Sequence, residues 1–504
     1  MARNISRFLI LSLALAPWLS KRDRPIRAAA PNLVSSPIYI THVTVIDTRS
    51  GEEDRDRTVI ISGNRILDIK DARQVKPPAG ANIIDATDKY LIPGLWDMHV
   101  HIRGSINGST SSLAGENEAM LPLYLTNGVT GVREMGGDLV DLVLQWRAEV
   151  EGGKRVAPRI ITCGPKLDGA KPLFPGSIPI TTPEEARTAV KRVKAMGVDF
   201  VKVLDSSPNI PHDAYLALLD EAKRQHMPVT GHVALTVTVA EVSDSGQSIE
   251  HTTYLPGCVR NEKGLKADRL AKRITGIDYF VAVVDGYDRN IAEALFAQFA
   301  SNHTWVTPTL ASSHMFAYED VERWDEDPRR KYLMPRMLAT WSDRANRSST
   351  LTQQQTALLS SYSKKQFSQA LESVLLMHKA GVSIMAGTDT GASNQNMFPG
   401  FSLHDELGFL VKGGLTPLEA LQCATLNAAK WLNRLDALGT VEPGKLADLV
   451  LLDADPLKDI RNTTKISEVF LGGKEFDRAT LDHMLRNAEA ERVRLFQRQP
   501  SSGL

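Results

Sequence analysis

His99 and His101 stand two apart, and residues two apart on an extended strand project to the same face. They follow Ile92, Pro93 and Gly94 in a strand of otherwise buried type, where two exposed polar positions would be out of place. A pair of imidazoles on one face is a metal-ligand arrangement. Lys202 lies inside the apolar run Phe200–Leu204, where a lysine ordinarily snorkels or meets a carboxylate. His232 follows Gly231, and His251 follows Glu250, each near the end of a strand-like segment. Asp389 ends the run that begins at Ile384. Taken singly, His232 and His251 read as structural histidines and Asp389 as a cap for the next segment. Taken together, four imidazoles, a lysine and a carboxylate make a donor set suited to divalent, zinc-like ions.

Those residues need a scaffold that brings strand ends together. Eight strand candidates run through the middle of the chain: Trp96–Ile102, Val129–Met135, Arg159–Cys163, Phe200–Leu204, Val229–Val233, Ile249–Thr253, Trp305–Leu310 and Ser383–Asp389. Helix-like stretches alternate with them, such as Thr182–Met196, which opens on a Thr-Pro-Glu-Glu cap, and Asp213–Gln225. This alternation predicts a parallel α/β architecture, and eight strands predict a closed (β/α)8 TIM-type barrel. The ligand-type residues fall on the first, fourth, fifth, sixth and eighth strands, whose ends would ring one mouth. A protonated Lys202 beside two dications would be strongly repelled. It must lose its proton or become an anion, and carboxylation by carbon dioxide would make it a bridging ligand. Two inserts, 256–300 and 311–375, are too long for simple loops and read as helical, a cover for the mouth.

The ends of the chain have a different texture. Residues 38–93 and 447–474 are rich in short β-branched strands, neither set long enough for an independent sandwich. The expected organisation is a small β-sandwich-like domain composed of 31–93 and 440–480, a barrel over 94–439, and a C-terminal helix and tail over 481–504. Residues 1–30 read as a signal peptide or leader: Arg3 and Arg7 precede the apolar run Phe8–Leu19, too short to span a bilayer. Export to the periplasm or outside the cell is expected, without stable membrane insertion. Among 504 residues, 59 Lys+Arg balance 59 Asp+Glu, which removes a general electrostatic reason to expect nucleic acid. Three cysteines, far apart and without a CxxC pair, exclude a thiolate zinc cluster and a disulfide scaffold.

Residues 91–101, with Pro93, Gly94, His99 and His101, resemble the metal-binding signature of the amidohydrolase superfamily. Residues 126–133 and 442–453 are similar to its second-strand and C-terminal segments, so the resemblance runs from about 38 to 475. With Lys202, His232 and His251 it is nearest the imidazolonepropionase-related and Xaa-Pro dipeptidase-like branch, beside the ochratoxin-hydrolysing amidases. The resemblance implies His99 and His101 on a first metal ion, carboxylated Lys202 as the bridge, His232 and His251 on a second ion, and Asp389 as last ligand and proton shuttle. Deaminases of this type use one metal and lack the bridging lysine, so Lys202 favours a binuclear site, with zinc the expected ion. The implied chemistry is metal-assisted hydrolysis by a bridging water, whose proton Asp389 passes to the leaving amine.

The expected substrate is a small molecule or dipeptide-like amide: peptide-like, N-acyl amino acid or cyclic. That would make the enzyme a hydrolase of carbon–nitrogen bonds other than peptide bonds, or a metallo-dipeptidase. An esterase or lactonase on the same binuclear site is the alternative, and a non-catalytic scaffold of this fold a remote one. Arg103 could meet a substrate carboxylate or serve in a surface salt bridge. Tyr254 could donate to the scissile carbonyl or simply pack, and His404 could reach substrate or lie on a helix surface. Self-association into a homo-oligomer stays open.

Overall fold

The computed structural model describes residues 36–104, 113–204, 209–338, 351–391 and 396–497. The expected leader, 1–30, and the tail beyond 497 lie outside the described residues. The protein is a mixed α/β structure with one eight-stranded mixed sheet and two sheets of parallel strands.

The eight-stranded sheet draws on both ends of the chain. Ile38–Ile46, Glu53–Ser62, Arg65–Asp71, Asn82–Asp85 and Tyr90–Pro93 come from the first end. Leu449–Leu452, Ile466–Leu471 and Lys474–Phe476 come from the other. The joint is the antiparallel pair Tyr90–Pro93 with Leu449–Leu452, in which Leu91 faces Leu451 and Ile92 faces Val450. Side chains alternate across a strand, so this joint serves two cores. Leu91, Leu449 and Leu451 pack with Ile40, Val59 and Ile61 on one face, while Ile92, Val450 and Leu452 join the large central core. A two-residue turn at Gly63 and Asn64 closes the hairpin that pairs Ser62 with Arg65, and Gly63 takes the positive φ (58°) such turns need. Arg159 and Asp448 clamp this sheet to the central strands through two hydrogen bonds of 2.5 and 3.0 Å, both side chains buried.

One parallel sheet runs Leu95–Val100, Val129–Glu134, Arg159–Thr162. The other runs Ile178–Pro179, Leu167–Asp168, Val201–Val203, Val229–Gly231, Ser248–Glu250, Trp305–Thr307, Ser383–Ile384. Main-chain bonds connect the two sheets on both sides. Asp199 N–H donates to the Thr162 carbonyl at 2.8 Å. On the far side Met98 N–H donates to Ala386, Asp389 N–H to His99 and His101 N–H to Thr390, at 2.9, 2.7 and 2.8 Å.

The helices between strands form for local reasons. Pro183–Ala195 starts with Thr182, whose hydroxyl accepts from Glu185 N–H, and buries Ala186, Ala189, Val190 and Val193 along one stripe. His212–Arg224, which has no side-chain cap, buries Ala214, Tyr215, Leu218 and Ala222. The two inserts are helical, with Glu262–Leu270, Gly276–Asp285 and Arg289–Ser301 in the first, and Leu310–Tyr318 and the long Gln353–Ala380 in and beyond the second. Among the described residues no helix is long and apolar enough to cross a membrane.

Every one of the eight expected central strands is present, and each is shorter than the apolar run that announced it. The cause is visible at two ends. His251 and Asp389 have φ values of 58° and 64°, a left-handed conformation in which a ladder cannot continue.

Candidate metal centre

His99 sits on a strand whose six residues are all buried. Its Nδ1 lies 2.7 Å from Glu250 Oε2, so the ring donates there and its Nε2 lone pair is turned inward. Glu250 is held in turn by Arg133, whose Nη2 donates to Oε1 at 2.7 Å, and by the Thr230 hydroxyl. Arg133 also donates from Nε to the Met98 carbonyl at 2.6 Å and stacks on Trp431. His101 follows the same rule: its Nδ1 is 3.1 Å from the Gly136 carbonyl, which leaves Nε2 facing the site. Asp389 Oδ1 is 3.4 Å from His99 Nε2 and 3.2 Å from His101 Nε2. These three residues can present one ligand atom each to a common centre.

His251 and His232 extend the cluster. The His251 ring centroid is 4.5 Å from that of His99 and 5.0 Å from that of His232. Its Nδ1 bonds the Thr309 hydroxyl at 2.8 Å. Adjacent residues on a strand should face opposite ways, yet Glu250 and His251 both reach His99. The left-handed turn at His251 allows it, and Thr309, its partner, is also left-handed at φ 47°. Such conformations for non-glycine residues cost about 1–3 kcal/mol each and gather at functional sites. His232 is delivered by Gly231, where a Cβ would stand 2.1 Å from the Val203 carbonyl oxygen. Only glycine allows that approach.

Asp389 is positioned by Asp97 on the His strand. Asp97 accepts from Thr388 N–H at 3.0 Å and from the Thr388 hydroxyl at 2.7 Å, tying the segment before Asp389 to the strand of His99. Burial pushes the Asp97 carboxyl up to about 7.

Lys202 is fully buried, and among the described residues its Nζ has no hydrogen-bond partner. Burial lowers its ammonium to about 8 against the pull of Glu250 and Asp389. Burial likewise lowers His101 to about 3 and holds His99 and His232 well below the ordinary histidine range, with His251 lowered too. Neutral imidazoles are the form that binds metal. His99 Nε2 is a second buried atom with no hydrogen-bond partner. Buried polar atoms are nearly always satisfied, so two orphans inside a nitrogen and carboxylate cluster fit divalent ions.

Sequence reasoning missed Asp97, Arg133 and Glu250 as supports. It also missed Lys166, which is buried beside Arg103 and lies 4.5 Å from the Phe174 ring centroid. Arg103 is no surface residue: it is buried, with its guanidinium carbon 3.9 Å from the same centroid. Burial lowers the Arg103 guanidinium to about 10 and holds the Lys166 ammonium well below the usual lysine range.

Two expectations for substrate contact are corrected. Tyr254 packs edge-on against Phe296 in the central core, its hydroxyl beside Ser373, because the strand end turns it outward toward the helices. His404 is neither at the cluster nor on a surface. Both its ring nitrogens are engaged, Nδ1 with the Thr463 hydroxyl at 2.9 Å and Nε2 with the Asn127 carbonyl at 3.1 Å. It is a buried cross-link between chain segments.

Comparison with known proteins places the chain in a family. The chain is 24% identical to ochratoxinase of Aspergillus niger over 91% of this chain and 90% of that one. Among solved structures, bottromycin amidohydrolase superposes with a TM-score of 0.67 at 20% identity, covering 93% of this chain and 91% of that one. A Xaa-Pro dipeptidase with bound methionine in its active site gives 0.61 at 21% identity, covering 88% and 100%. At such identities the superpositions show a shared fold. The amidohydrolase family model matches from residue 90 to residue 476, a span that holds His99, His101, Lys202, His232, His251 and Asp389. The chain belongs to the amidohydrolase family and is a hydrolase.

Proposed function

We propose that this chain hydrolyses an amide bond (peptide-like, N-acyl amino acid or cyclic) with two divalent metal ions, zinc being the expected ion. His99 and His101 would hold one ion, His232 and His251 the other, with carboxylated Lys202 between them and Asp389 beside the first. The observation that carries this reading is Lys202: a buried lysine nitrogen that among the described residues has no hydrogen-bond partner, and whose charge acts on His99, His232 and His251. A single-ion site of three residues would leave that nitrogen, His232 and His251 without a task.

The ions, when bound, supply Lewis acidity toward a water nucleophile and the scissile carbonyl. The protein's own groups do the rest. Asp389 accepts a proton from the attacking water and returns it to the leaving nitrogen, a role worth about 10²–10⁴-fold in rate. Glu250 and the Gly136 carbonyl fix the tautomers of His99 and His101. Asp97 and Thr388 keep Asp389 at its place. The two parallel sheets are read as one closed (β/α)8 barrel, supported by the main-chain bonds on both sides of the shorter sheet. The end segments, 31–93 and 440–480, are read as its companion β domain. Export is proposed on the basic and apolar leader, and cell fractionation tests it.

Bottromycin amidohydrolase and the Xaa-Pro dipeptidase are named for amide and peptide hydrolysis, which supports amide over ester cleavage. The test is a screen of Xaa-Pro dipeptides, N-acyl amino acids, lactones and aryl esters on zinc-loaded and metal-stripped protein. Turnover of an amide that disappears on stripping is expected. Cleavage of esters or lactones alone, or turnover indifferent to metal, would overturn the reading.

A further inference from the structure

The helix Leu310–Tyr318 is capped in an unusual way. A threonine just before a helix ordinarily spends its hydroxyl on the first free N–H groups of that helix. Thr309 occupies this place and makes no such bond. Its hydroxyl meets His251 Nδ1 instead, at 2.8 Å. The helix start is served from elsewhere: Glu406, on the helix Phe401–Lys412, accepts from Ala311 N–H at 2.7 Å and also from Leu310 N–H. Glu406, Thr309, Leu310 and Ala311 are all buried, so solvent is no substitute for either partner. The same segment holds His251 by its backbone, since His251 N–H donates to the Thr307 carbonyl at 2.8 Å. His251 and Thr309 are both left-handed, at φ 58° and 47°. Two strained residues joined by one hydrogen bond persist only where their surroundings are fixed.

We propose that Glu406 is a positioning residue for the metal centre: by capping the helix Leu310–Tyr318 from outside, it releases the Thr309 hydroxyl to set the ring and tautomer of His251. The proposal rests on the two-ion reading above, in which His251 holds the second ion, and gives that ligand a support from the helix after the last central strand. With His251 Nδ1 donating to the hydroxyl oxygen, the lone pair of Nε2 is left for an ion. Without the cap, the Leu310 and Ala311 N–H groups would be buried and unmatched. The Thr309 hydroxyl is the acceptor a helix start ordinarily uses. Turned there, it leaves His251 Nδ1, and the ring can offer either nitrogen. A carboxyl or an amide at position 406 presents an oxygen to those N–H groups, and a hydrocarbon does not. His99 and His101 take their Nδ1 partners from Glu250 and the Gly136 carbonyl rather than from this helix. The effect of Glu406 is therefore selective for the second ion.

The test uses the full chain, stripped of metal and then titrated with zinc. Thr309→Val removes the hydroxyl and keeps the shape, Thr309→Ser keeps the hydroxyl, Glu406→Met removes the cap, and Glu406→Gln retains an acceptor. Thr309→Val and Glu406→Met should each weaken the second zinc ion about 10–100-fold, the usual effect of losing a ligand's support, and leave the first unchanged. Thr309→Ser and Glu406→Gln should stay close to wild type. Combining Thr309→Val with Glu406→Met should weaken the second ion no further than either alone, because both act on one bond. Imidazole nitrogen NMR spectra of metal-free protein give a readout independent of zinc. The His251 ring, identified by its absence in His251→Asn, should show one tautomer in wild type and a mixture in Thr309→Val and Glu406→Met. Should Glu406→Met not fold, Glu406→Asp, whose carboxyl falls one methylene short of Ala311, takes its place with the same expectations. Additive losses, equal loss of both ions, or a His251 tautomer that does not move would overturn the proposal. A wild type that binds a single ion would sink the two-ion reading, while the tautomer spectra would still decide the role of Glu406. Two ions bound with an unmoved tautomer would leave that reading standing and remove Glu406 from it.

Discussion

Glu250 joins His99 to Arg133, one carboxylate oxygen 2.7 Å from His99 Nδ1 and the other 2.7 Å from Arg133 Nη2, with all three side chains sealed from solvent. This contact decides which imidazole nitrogen faces Asp389 and the candidate metal centre, and its negative charge is what permits Arg133 in the core. Glu250→Gln keeps the shape and removes the charge. Metal affinity should fall about 10–100-fold, the usual effect of losing a ligand's supporting partner. Arg133, left unpaired, should cost about 3–5 kcal/mol of stability. Metal titration and chemical denaturation check the two effects separately, and full affinity in the variant would remove Glu250 from the site's support.

Asp389→Asn retains one oxygen ligand and loses the proton acceptor. The ions should stay bound through the remaining ligands, while turnover drops by about two or more orders of magnitude. Turnover and metal content measured on the same preparation decide it. Near-normal turnover with full metal would rule out the proton-shuttle role.

Glu406 supplies a pH prediction away from the ligands. It is buried on the helix Phe401–Lys412, and burial raises its carboxyl to about 8. In the unfolded chain the same group titrates near 4.3. Between these two values the folded state binds the extra proton, so stability is greatest below the lower one and declines as pH rises through about 8. Glu406→Gln should flatten that decline in Tm between pH 5 and 9. Parallel Tm curves for wild type and variant would contradict it.

The buried Arg159–Asp448 pair holds the eight-stranded sheet to the central strands. Asp448 also accepts from Gly472 N–H at 2.7 Å, so its loss strands three N–H donors at once. Asp448→Ala should destabilise the fold by about 3–5 kcal/mol and leave metal content per folded chain unchanged. A loss of metal without a loss of stability would place the clamp's role elsewhere.

The central strands were legible because buried parallel strands are short apolar runs between capped helices, and both features are local. The six candidate ligands were legible because they interrupt those apolar runs, or end them, with residue types that can bind a metal. Glu250 was hidden by the same alternation that revealed His99 and His101: as the neighbour of His251 it should have faced the other way, and only the left-handed backbone at His251 changes that. His404 was misjudged because its partners, Asn127 and Thr463, are remote in sequence and nothing on its own helix announces them. Tyr254 sits three residues past a ligand, but the chain turns outward between them. Lys166 lies in a short segment without periodicity, and its companions Arg103 and Phe174 come from other parts of the chain.

Lys202 offers the most direct test of the binuclear centre. Metal content per chain should be measured by elemental analysis on wild type and Lys202→Ala, purified with zinc and bicarbonate present, then repeated with a short-chain carboxylate added. Wild type is expected to hold two ions per chain, Lys202→Ala to lose metal and turnover together, and the added carboxylate to restore part of both by filling the vacated bridge. Two ions retained in Lys202→Ala, or a single ion in wild type, would contradict the bridging role and with it the binuclear site.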